Sequence, residues 1–140
     1  MTVWEHDPAE NPISELTAEQ SWDVMRRSDF GRLAYRLGED VNIVPINAVV
    51  DGERLVFRTA EGSKLLGLHM SSNVAFEVDE QTEGTVSTVV ARGRAHVLEG
   101  AEEERAESLH VQPWATSWKG TFVAIDVTEI TGRQVRLSRS

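Results

Sequence analysis

Residues 41–59 constrain the fold more tightly than any other part of the chain. Val41-Asn42-Ile43-Val44-Pro45-Ile46-Asn47-Ala48-Val49-Val50 is a β-rich run, Asp51-Gly52 follows, and Leu55, Phe57 and Thr59 alternate on the return. An Asp-Gly pair between two such runs is a strong short-range hairpin signal, because the tight turn needs positive φ and glycine supplies it. Pro45 interrupts the first run and has no N–H to give a ladder. It predicts an edge, a bulge, or a place where the sheet stops pairing. An opening of that kind leaves backbone groups for a ligand, and a plain edge-strand proline fits the residue equally well.

The same reading extends along the chain. The first dozen residues are polar, contain Pro8 and Pro12, and predict an arm over residues 1–13 of a single domain spanning 1–140. Thr17-x-x-Gln20 is a capping-box signature and predicts a short helix with Trp22 and Met25 on one side. Strands are predicted over Phe30–Leu37, Val74–Asp79 and Thr85–Glu99, with a bulge or bend at Gly93. Helices are predicted over Lys64–Met70 and Ala101–Leu109, then an aromatic loop with Trp114 and Trp118. A strand over Thr121–Ile130 and a last short one ending near Leu137 complete the chain. Consecutive antiparallel strands with few helices predict a mainly β fold: a six- to seven-stranded antiparallel barrel with peripheral helices, whose closure protects the sheet edges.

Composition removes several function classes. The 140 residues carry a formal net charge of -9, with five Glu and one Arg between Glu99 and Glu107, so a nucleic-acid partner is not expected. No apolar run approaches the ~18–20 residues of a membrane span, and the N-terminus lacks the features of a secretory signal, so a cytoplasmic protein is expected. With no cysteine there is neither a disulfide nor a thiolate ligand. His6, His69, His96 and His110 have no metal-ligand spacing, and no metal is expected. Neither a Gly-x-Ser-x-Gly elbow nor a Gly-x-Gly-x-x-Gly loop occurs. Glu77 and Asp79 read as acids on a solvated strand face. No side chain stands out as a catalytic acid or base.

One stretch carries chemistry. After the strand that holds Phe57, Arg58 and Thr59 come Ala60, Glu61, Gly62, Ser63 and Lys64, then an apolar helix-like segment. Unpaired N–H groups and the dipole at a helix start attract an anion. Gly62 permits close approach, Ser63 offers a hydroxyl, Arg58 a planar fork and Lys64 a point charge. Taken alone, this spacing fits a phosphate cradle and a plain capped corner equally well, and it is not a P-loop.

Taken together, Phe30-Gly31-Arg32-Leu33-Ala34, Val44-Pro45-Ile46-Asn47, Phe57-Arg58-Thr59-Ala60-x-Gly62-Ser63-Lys64-Leu65, Val74-Ala75-Phe76-Glu77-Val78-Asp79, Arg92-Gly93-Arg94-Ala95 and Pro113-Trp114 resemble, in this order, the pyridoxamine 5′-phosphate oxidase-like family of FMN-binding split barrels. The resemblance spans roughly Leu16 to Arg133. It implies a homodimer with FMN in clefts between subunits and a small-molecule substrate. The cofactor phosphate would be held by Arg58, Thr59, Ser63 and Lys64, with Ala60 and Gly62 in the same turn. Backbone groups of Val44, Pro45, Ile46 and Asn47 would line the isoalloxazine, and Ser87, Arg92 and Trp114 would close the cleft. Pyridoxamine phosphate oxidases proper carry a further C-terminal Trp- and Arg-containing segment that Val135–Ser140 does not match. The expectation is therefore an FMN-dependent oxidoreductase of unassigned substrate. The alternatives are a reductase using the deazaflavin F420 and a non-catalytic module that binds or stores flavin.

Overall fold

The computed structural model describes residues 11–28, 30–59, 73–109, 111 and 120–137. Among these residues, seven strands and two helices follow in the order β1 (Ile13–Leu16), α1 (Ala18–Arg27), β2 (Phe30–Leu37), β3 (Asp40–Asp51), β4 (Arg54–Thr59), β5 (Asn73–Thr82), β6 (Thr85–Val97), α2 (Ala101–Glu107) and β7 (Thr121–Arg136). The neighbours run β1-β7-β4-β3-β2-β5-β6, and β6 also pairs with β7. Six strands thus close into a barrel, all pairs antiparallel, with β1 laid beside β7. The helix expected over Lys64–Met70 lies outside the described residues.

The central hairpin turns where its sequence predicts, with Gly52 at φ 66. Asp51 pairs with Arg54 and the ladder runs on to Ala48–Phe57, where it stops. From Asp40 to Asn47, β3 pairs with β2, and among the described strands its ladder with β4 has already ended. Pro45 sits in that half-paired stretch, opposite Arg32, so its missing N–H removes no ladder bond on the side facing β4. A second narrow seam joins β2 to β5 by Arg32–Ala34 against Ala75–Glu77. These two seams make the barrel a split one.

Alternation fills the interior. Leu33, Phe57, Val74, Phe76, Val78, Val89, Val123 and Ile125 point inward and are buried. α1 plugs one end with Val24 and Met25. Its start is held by the predicted capping box: Gln20 N–H donates to Thr17 Oγ1 at 3.1 Å, and Thr17 N–H to Gln20 Oε1 at 2.8 Å. β4 and the first half of β7 are buried on both faces, because a second cluster of Val56, Leu98, Ala106, Val111, Phe122 and Ala124 forms outside the barrel under α2.

Two features depart from expectation. β1 begins where the polar arm was to end, and its pairing with β7 was not foreseen. The two strands predicted at the C-terminal end are one strand of 16 residues. The reason is a bulge: Arg92 pairs with Glu129 but Gly93 pairs with Val127, leaving Thr128 over. Val123, Ile125 and Val127 pack toward the core before it and Ile130 after it, so the hydrophobic phase changes within one strand. Gly93, where a bend was predicted, sits across from the bulge. Any Cβ there would run into the Asp126 carbonyl oxygen, which is backbone and cannot move aside.

Candidate functional site

The end of β4 is where the described part of the predicted anion cradle lies. Arg58 stands directly opposite Phe122 in the β4–β7 ladder, and Thr59 opposite Thr121. Arg58 Nε–H donates to the Gly120 carbonyl at 3.2 Å, and the guanidinium carbon lies 4.7 Å from the centroid of the Phe122 ring. A cation over an aromatic face within about 6 Å is attracted to it, and a guanidinium suits that role because it is planar. An anion would meet this fork through its two Nη groups.

β3 supplies the other wall. Asn47 follows the last rung, Ala48–Phe57, so it faces the strand position of Arg58 across the point where the ladder ends. Pairwise alternation puts Asn47, Pro45 and Arg58 on the outward face, while Ile46 turns inward and is buried. Val44 packs partly against the interior core. Pro45, Asn47 and Arg58 thus share the outward face just beyond the last β3–β4 rung, with Thr59 next to Arg58 in β4. Ala60, Gly62, Ser63, Lys64 and Trp114 lie outside the described residues.

Ser87 and Arg92 are not part of that group within one subunit. They occupy opposite faces of β6. Ser87 is buried and accepts a hydrogen bond from Gln134 Nε2 at 3.4 Å, beside a recess of about 260 Å³ that α1 covers. Arg92 is exposed, 3.5 Å from Glu129, on the edge of an open groove of about 410 Å³ floored by Ala34, Val41, Val74 and Ala75. Arg58 and Arg92 pair with Phe122 and Glu129 of β7 respectively, which places them roughly 20 Å apart along that strand. The outward face between them carries exposed Val41 (77%) and Ile43 (65%).

Electrostatics are shifted at the rims. Arg27 of α1 donates from Nε and Nη2 to the Glu80 carboxylate, both at 2.8 Å. These hydrogen bonds hold the Glu80 carboxyl below its ordinary value of 4.5. Because the folded value is the lower one, the pair stabilises the fold above that pH and ceases to do so as falling pH passes the lowered value. The effect is small for so exposed a pair. Urea unfolding of the wild type and Glu80→Gln should therefore differ slightly at neutral pH and converge in acid. A gap that persists unchanged in acid would assign it to something other than this ion pair. On the far side, Asp51 binds Arg105 of α2 at 2.8 Å and raises its already high basicity.

Sequence reasoning missed Gly120 and Phe122. Their part depends on which residue of β7 faces Arg58, and cross-strand register cannot be counted from either strand alone. Among the described residues no group of three or more His, Asp or Glu could hold a metal ion, and no helix is long and apolar enough to cross a membrane.

Comparison with known proteins agrees with this architecture. The family model described as pyridoxamine 5′-phosphate oxidase matches residues 17–134. A candidate pyridoxamine 5′-phosphate oxidase from Corynebacterium glutamicum superposes with a TM-score of 0.86 at 32% identity, over 94% of this chain and 98% of its own. An FAD-binding protein from Mycobacterium smegmatis superposes with a TM-score of 0.76 at 32% identity, over 89% of this chain and 100% of its own. An uncharacterized Mycobacterium tuberculosis protein is 37% identical over 89 residues, 63% of this chain and 81% of its own length. With the family model matching most of its length, the chain belongs to the pyridoxamine 5′-phosphate oxidase family.

Proposed function

We propose that this protein is an FMN-binding oxidoreductase acting on a small-molecule substrate, and that it works as a homodimer with its cofactor sites between subunits. The observation that carries the reading is the preset guanidinium of Arg58 at the mouth of the gap where β3 leaves β4. A flavin phosphate would bind Arg58 and Thr59, joined by Ser63 and Lys64 from the segment that follows in sequence. The ring would lie along Val44–Asn47, beyond the last β3–β4 rung, where backbone peptide groups are suited to its polar rim. When bound, the isoalloxazine supplies the electron or hydride chemistry, while the chain supplies binding, orientation and exclusion of water. The FAD-binding relative from Mycobacterium smegmatis supports a flavin, and the choice of FMN rests on the family resemblance of the Phe57–Leu65 stretch.

The dimer is supported by distance and by surface. Arg92 is too far from Arg58 to touch the same cofactor from one subunit, so a site using both draws them from two copies. Val41 and Ile43 would be covered in such a pair. Purified protein should carry FMN, or take it up, and should have the mass of two chains by light scattering. A protein that is colourless and ignores added FMN would overturn the flavin reading, and preferential uptake of F420 would redirect it. A flavin holder without turnover is the second reading. It is favoured by the absence, among the described residues Val44–Asn47, Arg58 and Thr59, of any side chain that exchanges protons near neutral pH. Reduction of the bound flavin by NADH or NADPH would count against that reading.

A further inference from the structure

We infer that Phe122 is a positioning residue for cofactor binding, fixing the plane of the Arg58 guanidinium so that its Nη edge is set for the phosphate before the ligand arrives. This rests on the reading of Arg58 as a phosphate ligand. Arg58 and Phe122 are directly opposite in the antiparallel β4–β7 ladder, where facing side chains stand roughly 5 Å apart at Cβ. The guanidinium carbon lies 4.7 Å from the ring centroid, and Nε–H is bonded to Gly120 at 3.2 Å. A contact under the plane and a bond at its edge together define both the tilt and the direction of the fork. An arginine held in this way loses less freedom on binding than one waving in solvent.

Phe122 is suited to that task because it is itself immobile. It is 2% exposed, and its carbonyl accepts from the Leu98 N–H at 2.9 Å. Its neighbours in the outer cluster are Val56, Leu98, Ala106, Val111 and Ala124, all aliphatic. Filling space in such a cluster needs no ring, whereas stacking on a guanidinium does. α2 roofs the cluster and is tied to the β3–β4 hairpin by Arg105 and Asp51 at 2.8 Å. A chain of contacts therefore runs from that ion pair through α2 and Phe122 to Arg58.

The test separates phosphate binding from fold. Dissociation constants for FMN and for riboflavin, which lacks the phosphate, are measured for the wild type, Phe122→Leu, Phe122→Tyr, Arg58→Ala and the Phe122→Leu/Arg58→Ala double variant, with thermal melts as the check on folding. Phe122→Leu should weaken FMN about five- to tenfold and leave riboflavin within about twofold. Phe122→Tyr, which keeps the ring, should stay near wild type. In the Arg58→Ala background the leucine substitution should add less than about twofold, since its effect passes through the arginine. Where Phe122→Leu does not fold, Phe122→Met keeps the volume without the ring. Equal losses for FMN and riboflavin, or an undiminished loss in the Arg58→Ala background, would overturn the positioning role alone. A wild type that binds FMN no better than riboflavin would overturn the phosphate reading beneath it.

Discussion

Arg58→Ala is expected to weaken FMN binding by about 1–3 kcal/mol, or roughly five- to 150-fold in Kd, with a much smaller effect on riboflavin. The magnitude is that of a charge-assisted hydrogen bond at a half-buried site. The guanidinium is already oriented by Gly120 and Phe122, so little of its binding energy is spent on ordering. Titration calorimetry or quenching of flavin fluorescence reads the change. Arg58→Lys should fall between the two, because an ammonium keeps the charge but cannot lie flat on the ring and bond Gly120 while forking onto an anion. Unchanged FMN affinity in Arg58→Ala would mean that the phosphate sits elsewhere.

Phe76→Ala should have the largest effect on stability. Phe76 is fully buried, pairs across β5 with Leu33 on one side and Ala91 on the other, and fills the middle of the barrel. Emptying such a site costs about 3–5 kcal/mol, against the roughly 5–15 kcal/mol that a domain has in total. The melting temperature should drop by roughly 10–20 °C, while Phe76→Leu should recover much of the loss. A loss below about 1 kcal/mol in urea unfolding would mean that the interior collapses around the vacancy and is less tightly packed than its burial indicates.

What could be read from the sequence was local. The strand Phe30–Leu37 has the bounds its pattern predicts, Asp51-Gly52 turns the hairpin, and Thr17 with Gln20 caps α1. The capping box is a contact three residues apart, and the turn is a property of two. Pro45 was legible as an edge, a bulge or a break in pairing, and it lies in the part of β3 that pairs with β2 beyond the last β3–β4 rung at Ala48. What could not be read was register between distant strands. β1 is four residues long with little hydrophobic signal, and only β7 gives it a reason to be extended. The bulge shifted the alternation in β7 so that one strand looked like two. α2 reads as a solvated charged helix because Ala106 alone of its residues is buried, and the cluster it covers is assembled from four other segments. For the candidate site, Arg58 could be picked out by type and spacing. The ring beneath it could not.

The long C-terminal strand has a consequence for how the chain comes to be folded. β7 is the partner of β1, β4 and β6 at once, and it follows all of them in the chain. During synthesis the edges of β4 and β6 must wait, their amides and carbonyls unpaired, until residues 121–136 leave the ribosome. Closure then joins β7 to β4, with Arg54 opposite Asp126, and β1 is laid beside it from the other end of the sequence, the kind of non-local step that makes β-rich chains slow to fold. Until it occurs, the nascent sheet is a template for pairing with other chains. A nascent chain ending before Thr121 should be held by chaperones and digested readily by protease, and protection should appear in a single step once β7 is free to insert.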